Sequence, residues 1–334
     1  MNEKKNIYEL LEEEITSAEL PVNEKNERLS RLIRMRERKV NIILVGASGS
    51  GKSSTVNALF NTEVAKVGVG VDPETSDITS YTLDNLTIWD TPGLGDGVES
   101  DKAYCRMLTK KLSETDEKGE PVIDLVMIVL DASSKDLGSS YDLINNVIVP
   151  CLGKDKAGRI LIGLNQADVA MKGKHWDSEK NEPDEVLLAF LKKKAESVRR
   201  RIQEGTGLNI RPIYYCAGYK EEDGEQCKPY NLTKLLYYII KSIPMEKRLA
   251  FADNINVNED MWLHDDNEKD YKDAVRKGLL ESIVDGLETG VEKGSDFGKK
   301  ILGIPGEVVG TLVGGVCGAI KGYFDWKLNC IFGV

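Results

Sequence analysis

The chain has 334 residues, of which 41% are hydrophobic and 30% charged, and these proportions are typical of a globular protein and exclude a disordered one. The formal net charge of −10 argues against a generally basic surface, so no direct nucleic-acid binding is expected. Scattered cysteines without a CxxC pair, and an N-terminus without an apolar stretch, favour a cytoplasmic protein.

Residues 1–38 form a polar N-terminal extension. Apolar residues recur at helical spacing on both sides of Pro21, which predicts two helices broken at that proline. The second helix carries Leu32 and Ile33 among several arginines. Two interpretations follow: its apolar side packs on the main domain and leaves the arginines solvated, or the arginines form a basic surface for a partner or anionic lipid.

The segment 39–244 alternates short apolar runs with helical patterns, and this predicts an α/β domain with a mostly parallel sheet covered on both faces. Asp84-Asn85 is a turn pair and predicts a hairpin. The predicted strands are 40–45, 79–83, 86–89, 125–130, 160–164 and 212–216. The predicted helices are 53–60, 142–148, 183–203 and 231–243. Residues 245–334 form a C-terminal region in which the acidic stretch 254–273 is expected to be a linker or a solvated helix.

The first motif is Gly46-Ala-Ser-Gly-Ser-Gly-Lys52-Ser53, which fits G-x-x-x-x-G-K-[ST] between a strand and a helix. Backbone N–H groups in such a loop surround phosphate oxygens, and the helix N-terminus adds a partial positive charge. Lys52 is expected to neutralise the β- and γ-phosphates, and the Ser53 hydroxyl to bind Mg²⁺. The predicted phosphate-binding residues are Gly46, Ser48, Gly49, Ser50, Gly51, Lys52, Ser53 and Ser54.

The second motif is Trp89-Asp90-Thr91-Pro92-Gly93 at the end of a hairpin strand. Asp90 is expected to reach Mg²⁺ through its water shell, and the Gly93 N–H to contact the γ-phosphate. The pattern D-x-x-G is weak alone and becomes strong after a phosphate loop.

The third motif is Asn165-Gln166-Ala167-Asp168, again after an apolar strand. The Asp168 carboxylate can accept hydrogen bonds from guanine N1–H and from its exocyclic amine, a pair of donors that adenine lacks. Asn165 is expected to tie this loop to the phosphate loop, and the Gln166 stem to lie over the base. In the fourth element, which includes Cys216, the Ala217 N–H is expected to bind the guanine oxygen.

These four elements resemble the G1, G3, G4 and G5 motifs of the translation-factor class of P-loop GTPases over about residues 39–244. The sequence looks most like the Era-like branch and its compact bacterial and prophage-type members with Asn-Gln-x-Asp at G4, and also like immunity-related and dynamin-like GTPases. The resemblance implies the three-layer P-loop fold, with Mg²⁺ and GTP hydrolysed to GDP as a conformational switch. It also implies a threonine that completes the Mg²⁺ and γ-phosphate shell, assigned to Thr75 with Thr79 as the alternative, within a switch I at 67–79. Switch II would span 91–101.

Two departures from this family concern catalysis. Leu94 lies where Ras-like proteins have a water-orienting glutamine, and Gly49 lies where potassium-activated relatives have an asparagine. Lys52, Thr75 and Gly93 remain as the expected catalytic residues. Slow hydrolysis is therefore expected, which depends on backbone groups, a homodimer partner or an activating protein.

The apolar run 301–320 contains one charged residue, Glu307, and glycines recur every four residues from Gly306 to Gly322. A helix of this length would match a bilayer core. Two interpretations remain open: the tail packs on the domain or in a homo-oligomer, or it enters a membrane through 301–326. The alternative function is accordingly a nucleotide-gated, membrane-associated or self-assembling effector. A P-loop kinase or transporter ATPase is disfavoured by the residues 165–168.

Overall fold

The computed structural model describes residues 6–18, 20–60, 78–94, 97–153, 156–218 and 227–287. Thr75, most of the predicted switch I and the apolar run 301–326 lie outside the described residues. Across the described ranges, no helix combines the length and the apolar character needed to cross a membrane.

Six of the described strands form one sheet in the order β2-β3-β1-β4-β5-β8. Strand β2 is antiparallel to β3, as the predicted hairpin requires, and the other neighbouring pairs are parallel. A separate two-stranded hairpin consists of β6 and β7. The strand bounds are β1 (Val40–Val45), β2 (Thr79–Leu83), β3 (Leu86–Asp90), β4 (Leu125–Asp131), β5 (Ile160–Asn165), β6 (Trp176–Asp177), β7 (Glu182–Pro183) and β8 (Ile213–Tyr214).

Helices cover both faces of the sheet. Their bounds are α1 (Ile7–Ser17), α2 (Val22–Glu37), α3 (Lys52–Leu59), α4 (Val98–Leu112), α5 (Gly138–Leu143), α6 (Val149–Cys151), α7 (Glu185–Thr206), α8 (Leu232–Ser242) and α9 (Tyr271–Leu287). A π-helical turn, Ile144–Ile148, joins α5 to α6, so this helical stretch is longer than the predicted 142–148. The last strand is shorter than predicted because Cys216 pairs with Tyr230 instead of continuing along β5.

Strand β1 shows why the sheet is buried on both sides. Ile42 and Leu44 belong to one hydrophobic cluster, while Ile43 and Val45 belong to the cluster on the opposite face. Because successive side chains of a strand point to opposite faces, an uninterrupted apolar run fits only a strand covered on both faces. The α/β three-layer P-loop fold is therefore confirmed.

The two predicted N-terminal helices are present as α1 and α2. The Asn6 side chain and Glu9 form a reciprocal cap at the start of α1. On α2, Leu32 and Met35 are buried in the same cluster as α1 and α9. This packing supports the interpretation in which the apolar side of α2 faces the rest of the protein.

The expectation of a linker or solvated helix at 254–273 is wrong for the first half of that stretch. Trp262 is 1% exposed, and its indole N–H donates to Asn256 O. Asn256 in turn donates from its backbone to Leu59 O at 3.0 Å and from its side chain to Ala58 O at 3.1 Å. Asn256 thus supplies hydrogen-bond donors to carbonyl groups that the end of α3 leaves without helical partners. No pattern within 254–273 itself indicates this contact.

Candidate functional site

The four sequence motifs lie at the carboxyl ends of β1, β3, β5 and β8, which are neighbours or near neighbours in the sheet. Parallel strands of an open α/β sheet end at one edge, where such folds bind their ligands. The phosphate loop, Gly46–Gly51, connects β1 to α3 at this edge. The structure therefore brings together the described motif residues around one loop.

The loop conformation explains its glycines. Gly51 has φ +86°, a left-handed conformation that glycine adopts readily, and a Cβ at this position would collide with the Asn165 side-chain amide. The Lys52 ammonium lies back over the loop, 3.3 Å from Gly46 O and 3.1 Å from Ala47 O. Lys52 is only 8% exposed, so its charge faces the loop and not the solvent.

Ser53 and Asp90 join the first two motifs. The Ser53 hydroxyl donates to Asp90 Oδ2 at 2.7 Å, and the second oxygen, Asp90 Oδ1, is buried without a hydrogen-bond partner among the described residues. Burial raises the pKa of the Asp90 carboxyl, while the Ser53 hydroxyl and then the Lys52 charge lower it in part. A buried carboxylate oxygen without a donor is costly unless a further ligand satisfies it.

The loop after β3 is pressed against the phosphate loop. Ser48 N–H donates to Leu94 O at 3.1 Å, and Leu94 N–H donates to Gly46 O at 3.3 Å. A Cβ at Gly93 would collide with the Ser48 backbone, which accounts for glycine at this position. The Leu94 side chain is 6% exposed and packs in the core below the loop.

Of the two candidate threonines of switch I, Thr79 lies within the described residues. Thr75 lies outside the described residues. Thr79 is the first residue of β2, is exposed, and stands opposite Asp90 in the β2–β3 register.

Asn165 connects three loops. Its amide nitrogen donates to Ser50 O at 3.0 Å, and its Oδ1 accepts from Ala217 N–H at 3.0 Å. The predicted tie between the third motif and the phosphate loop is therefore present. The Ala217 N–H, which was expected to meet the guanine oxygen, points to Asn165 here, so that a base oxygen would have to share or replace that acceptor.

Gln166 and Asp168 are the other two polar residues of the third motif. Gln166 has φ +61°, and its amide donates to Gly49 O at 2.7 Å, which makes a second link from this motif to the phosphate loop. Asp168 lies beside the Cys216 thiol; burial, and then the Asp168 carboxylate, raise the pKa of that thiol well above its ordinary value. Cys216 is thus a neutral neighbour of the candidate base-reading carboxylate.

Two supporting residues were missed from the sequence. The Tyr215 hydroxyl lies 2.7 Å from Thr55 Oγ1, so a completely buried tyrosine connects β8 to α3 behind the phosphate loop. Gly163 makes room for it, because a Cβ there would press on the tyrosine ring. A glycine in the middle of a buried strand is the one signal that could have indicated such a close approach.

Residues 171–183, which follow the third motif, include the hairpin of β6 and β7. In the structure, Asn181 donates from its amide to Lys228 O and Pro229 O at 3.2 and 2.9 Å. The Trp176 ring packs edge-on against Tyr230 at 5.4 Å. This hairpin therefore supports the segment that pairs with Cys216.

Comparison with known proteins gives a family match for part of the chain. The family described as 50S ribosome-binding GTPase matches residues 41–166, which is less than half of the sequence. Human septin-12 is 41% identical over 76 residues, covering 19% of this chain and 21% of septin-12. Neuronal-specific septin-3 of Danio rerio is 34% identical over 91 residues, covering 23% and 25%. The uncharacterized protein YfjP of Escherichia coli (strain K12) is 28% identical over 138 residues, covering 38% and 41%.

The alignments span less than half of the length of these relatives. Among solved structures, Toc33 from Arabidopsis thaliana in complex with Mg²⁺ and GMPPNP is 15% identical with a TM-score of 0.40, covering 73% of this chain and 98% of that one. Aquifex aeolicus Era bound to GDP·AlF₄⁻ is 17% identical with a TM-score of 0.39, covering 62% and 57%. The family match over residues 41–166, together with the observed sheet and phosphate loop, supports a P-loop GTPase domain in this chain.

Proposed function

We propose that this chain binds GTP with Mg²⁺ and hydrolyses it slowly to GDP and phosphate as a conformational switch. The observation that carries the proposal is the position of Asn165, whose amide bonds Ser50 O and whose oxygen accepts from Ala217 N–H. This side chain keeps the phosphate loop and both candidate base-binding loops in one site. A nucleotide that spans these loops would contact all of them at once.

The phosphate end of the site consists of the loop and the start of α3. Its backbone N–H groups and the helix N-terminus favour negative charge, and Lys52 supplies a full positive charge. Ser50 Oγ is buried without a hydrogen-bond partner among the described residues, so this hydroxyl has a free donor for a phosphate oxygen. These features support a triphosphate ligand.

The residues Ser53 and Asp90 fit Mg²⁺. Mg²⁺ prefers oxygen ligands and is usually held by one or two protein groups together with water and phosphate. The Ser53 hydroxyl and the unpartnered Asp90 Oδ1 supply such groups, and Thr75 or Thr79 would complete the set. When bound, the ion would offset the charge of the phosphates.

The proposal of slow hydrolysis depends on Leu94. Its side chain is apolar and buried in the core, so it offers no group to orient an attacking water. Lys52, Gly93 and Thr75 remain the proposed catalytic residues of the chain, with a second copy or an activating protein as the source of a further group.

The experiment that tests the proposed base is a competition titration with GTP, ATP and xanthosine triphosphate. Asp168→Asn should lose at least about 3 kcal/mol of GTP affinity, because two hydrogen bonds to a charged group disappear. The variant should bind xanthosine triphosphate better than the wild type does, since that base offers a carbonyl in place of the amine. Equal binding of ATP and GTP by the wild type would contradict the proposal.

A further inference from the structure

The candidate base-binding loop, residues 216–218, is connected to the C-terminal region through a short segment, residues 227–231. Cys216 and Tyr230 exchange two backbone hydrogen bonds, each 2.9 Å long. The next residue, Asn231, has no exposed surface and a left-handed backbone with φ +56°. A displacement of Asn231 would therefore be passed to the loop through Tyr230.

The side-chain amide of Asn231 forms hydrogen bonds through both its nitrogen and its oxygen. Its Nδ2 donates to Tyr214 O at 3.1 Å and to Asp266 Oδ2 at 3.3 Å, and its Oδ1 accepts from Asp266 N–H at 2.8 Å. Its backbone N–H donates to His264 O at 2.8 Å. Asn231 thus joins the end of β8 to residues 264–266 of the C-terminal region.

Asp266 is itself fixed by a buried ion pair with Lys234, in which the two side chains are 5% and 9% exposed. Glu268 adds a second carboxylate at 3.0 Å from the same ammonium. A buried charge that loses its partner is strongly unfavourable, so this pair resists displacement. The acceptor of the Asn231 amide is consequently in a defined position.

The other end of the 227–231 segment is held by the hairpin that follows Asp168. Asn181 donates to the carbonyls of Lys228 and Pro229, and the Trp176 ring packs on Tyr230. The segment therefore lies between the hairpin and the C-terminal region, with the base-binding loop paired to its edge.

We propose that Asn231 is a positioning residue for guanine recognition, which sets the place of residues 216–218 relative to Asp168 through its bonds to Tyr214 and Asp266. This inference rests on the proposed GTP-binding function. If Asn231 has this role, guanine affinity depends on the C-terminal region. The phosphate end of the site, with Lys52 and Ser53, is held by other contacts.

The test uses Asn231→Gly in the full-length chain, because glycine keeps the left-handed backbone and removes only the side-chain amide. Release of a fluorescent GDP analogue should be about tenfold faster, as expected for the loss of the side-chain hydrogen bonds. KM for GTP should rise by a similar factor, with kcat within about twofold, because the reacting phosphates are not displaced.

The matched control is Leu279→Ala in α9, which leaves a cavity in the core of the same C-terminal region, in a different hydrophobic cluster from that of Tyr230. It should leave GDP release within about twofold of the wild type. Equal acceleration by both variants, or unchanged release in Asn231→Gly, would overturn the inference. A wild type that binds no GDP would instead contradict the proposed function.

If Asn231→Gly does not fold, Asp266→Asn provides the test of the proposed role of Asn231. This variant keeps the shape of the acceptor and weakens its attachment to Lys234, so GDP release should accelerate several-fold. Release at the wild-type rate in folded Asp266→Asn would overturn the inference.

Discussion

Ser53 Oγ lies 2.7 Å from Asp90 Oδ2, and this hydrogen bond joins the first turn of α3 to the last residue of β3. The two residues come from separate motifs and meet only because β1 and β3 are neighbours in the sheet. The remaining oxygen of Asp90 is buried and has no hydrogen-bond partner among the described residues. The pair is therefore prepared for a cation that prefers oxygen ligands.

Ser53→Ala should remove much of the effect of Mg²⁺ on GTP binding. The variant loses one proposed ligand and leaves Asp90 Oδ2 without its hydroxyl donor, so the Mg²⁺-dependent gain in affinity should fall by about tenfold or more. Titrations of GTP with Mg²⁺ and with EDTA measure this gain. Ser30→Ala, at an exposed position of α2, should behave as the wild type. An unchanged Mg²⁺ effect in Ser53→Ala would rule out ligation by this hydroxyl.

Hydrolysis by the dilute wild type should be slow, on the order of 10⁻² s⁻¹ or less, because Leu94 provides no water-orienting group. Replacing Na⁺ by K⁺ should change the rate little, since Gly49 supplies no side-chain ligand for the cation. Single-turnover assays at several protein concentrations measure both effects. Fast, concentration-independent hydrolysis would mean that a catalytic residue of this chain lies elsewhere.

The hydrogen bond between Thr55 and Tyr215 predicts unequal costs for its two partners. Thr55 Oγ1 also donates to Gly51 O at 2.7 Å, so Tyr215→Phe leaves it a partner and should cost about 1 kcal/mol of unfolding free energy. Thr55→Val leaves the buried tyrosine hydroxyl without this partner and should cost about 1–3 kcal/mol. Urea unfolding of both single variants and the double variant measures the coupling. The double variant should cost less than the sum; strict additivity would contradict the contact.

Glu268 predicts a pH-dependent contribution to stability. The hydrogen bond from Lys234 is the main cause that lowers the pKa of this carboxyl in the folded protein. The native state then binds fewer protons than the unfolded one, so the contribution is complete above the unfolded-state pKa and is lost as the pH falls through the folded one. The wild type should be more stable than Glu268→Gln at pH 7, by less than about 1 kcal/mol because the side chain is partly exposed. The difference should decrease as the pH falls below the ordinary glutamate pKa of about 4.3 and should vanish below the lowered pKa of the folded state.

Urea unfolding at a series of pH values tests this expectation. Glu12→Gln, at an exposed position of α1, serves as the control and should follow the wild type at every pH. A stability difference between the wild type and Glu268→Gln that grows on acidification would show that the sign is wrong.

Much of the fold could be predicted because its signals are local. The apolar run of β1, the turn pair between β2 and β3 and the proline between α1 and α2 each determine structure within a few residues. The phosphate loop is also a local signal, since the glycines that permit its conformation and the lysine that contacts its carbonyl groups are close together in the sequence. The link from Asn165 to Ser50 was expected from the third motif and is present in the structure.

The acidic stretch 254–273 shows where such reasoning fails. Its composition predicts exposure to solvent, yet Asn256 and Trp262 are buried. Asn256 donates to a carbonyl at the end of α3, almost 200 residues earlier in the chain, where the helix leaves carbonyl groups without partners. The number and spacing of charges in a segment contain no information about which distant backbone groups require partners.

The sequence by itself determined the α/β alternation, the phosphate loop and the residues expected to read the base, because these depend on periodicity and on short motifs with their own chemistry. Only the tertiary structure decided that Ser53 meets Asp90, that Tyr215 supports Thr55 and that Asn231 joins the base-binding loop to Asp266. Each of these contacts connects residues that are far apart in the chain. Their partners are selected by which strands and helices become neighbours when the two apolar faces of the sheet are buried, and no local spacing encodes that choice.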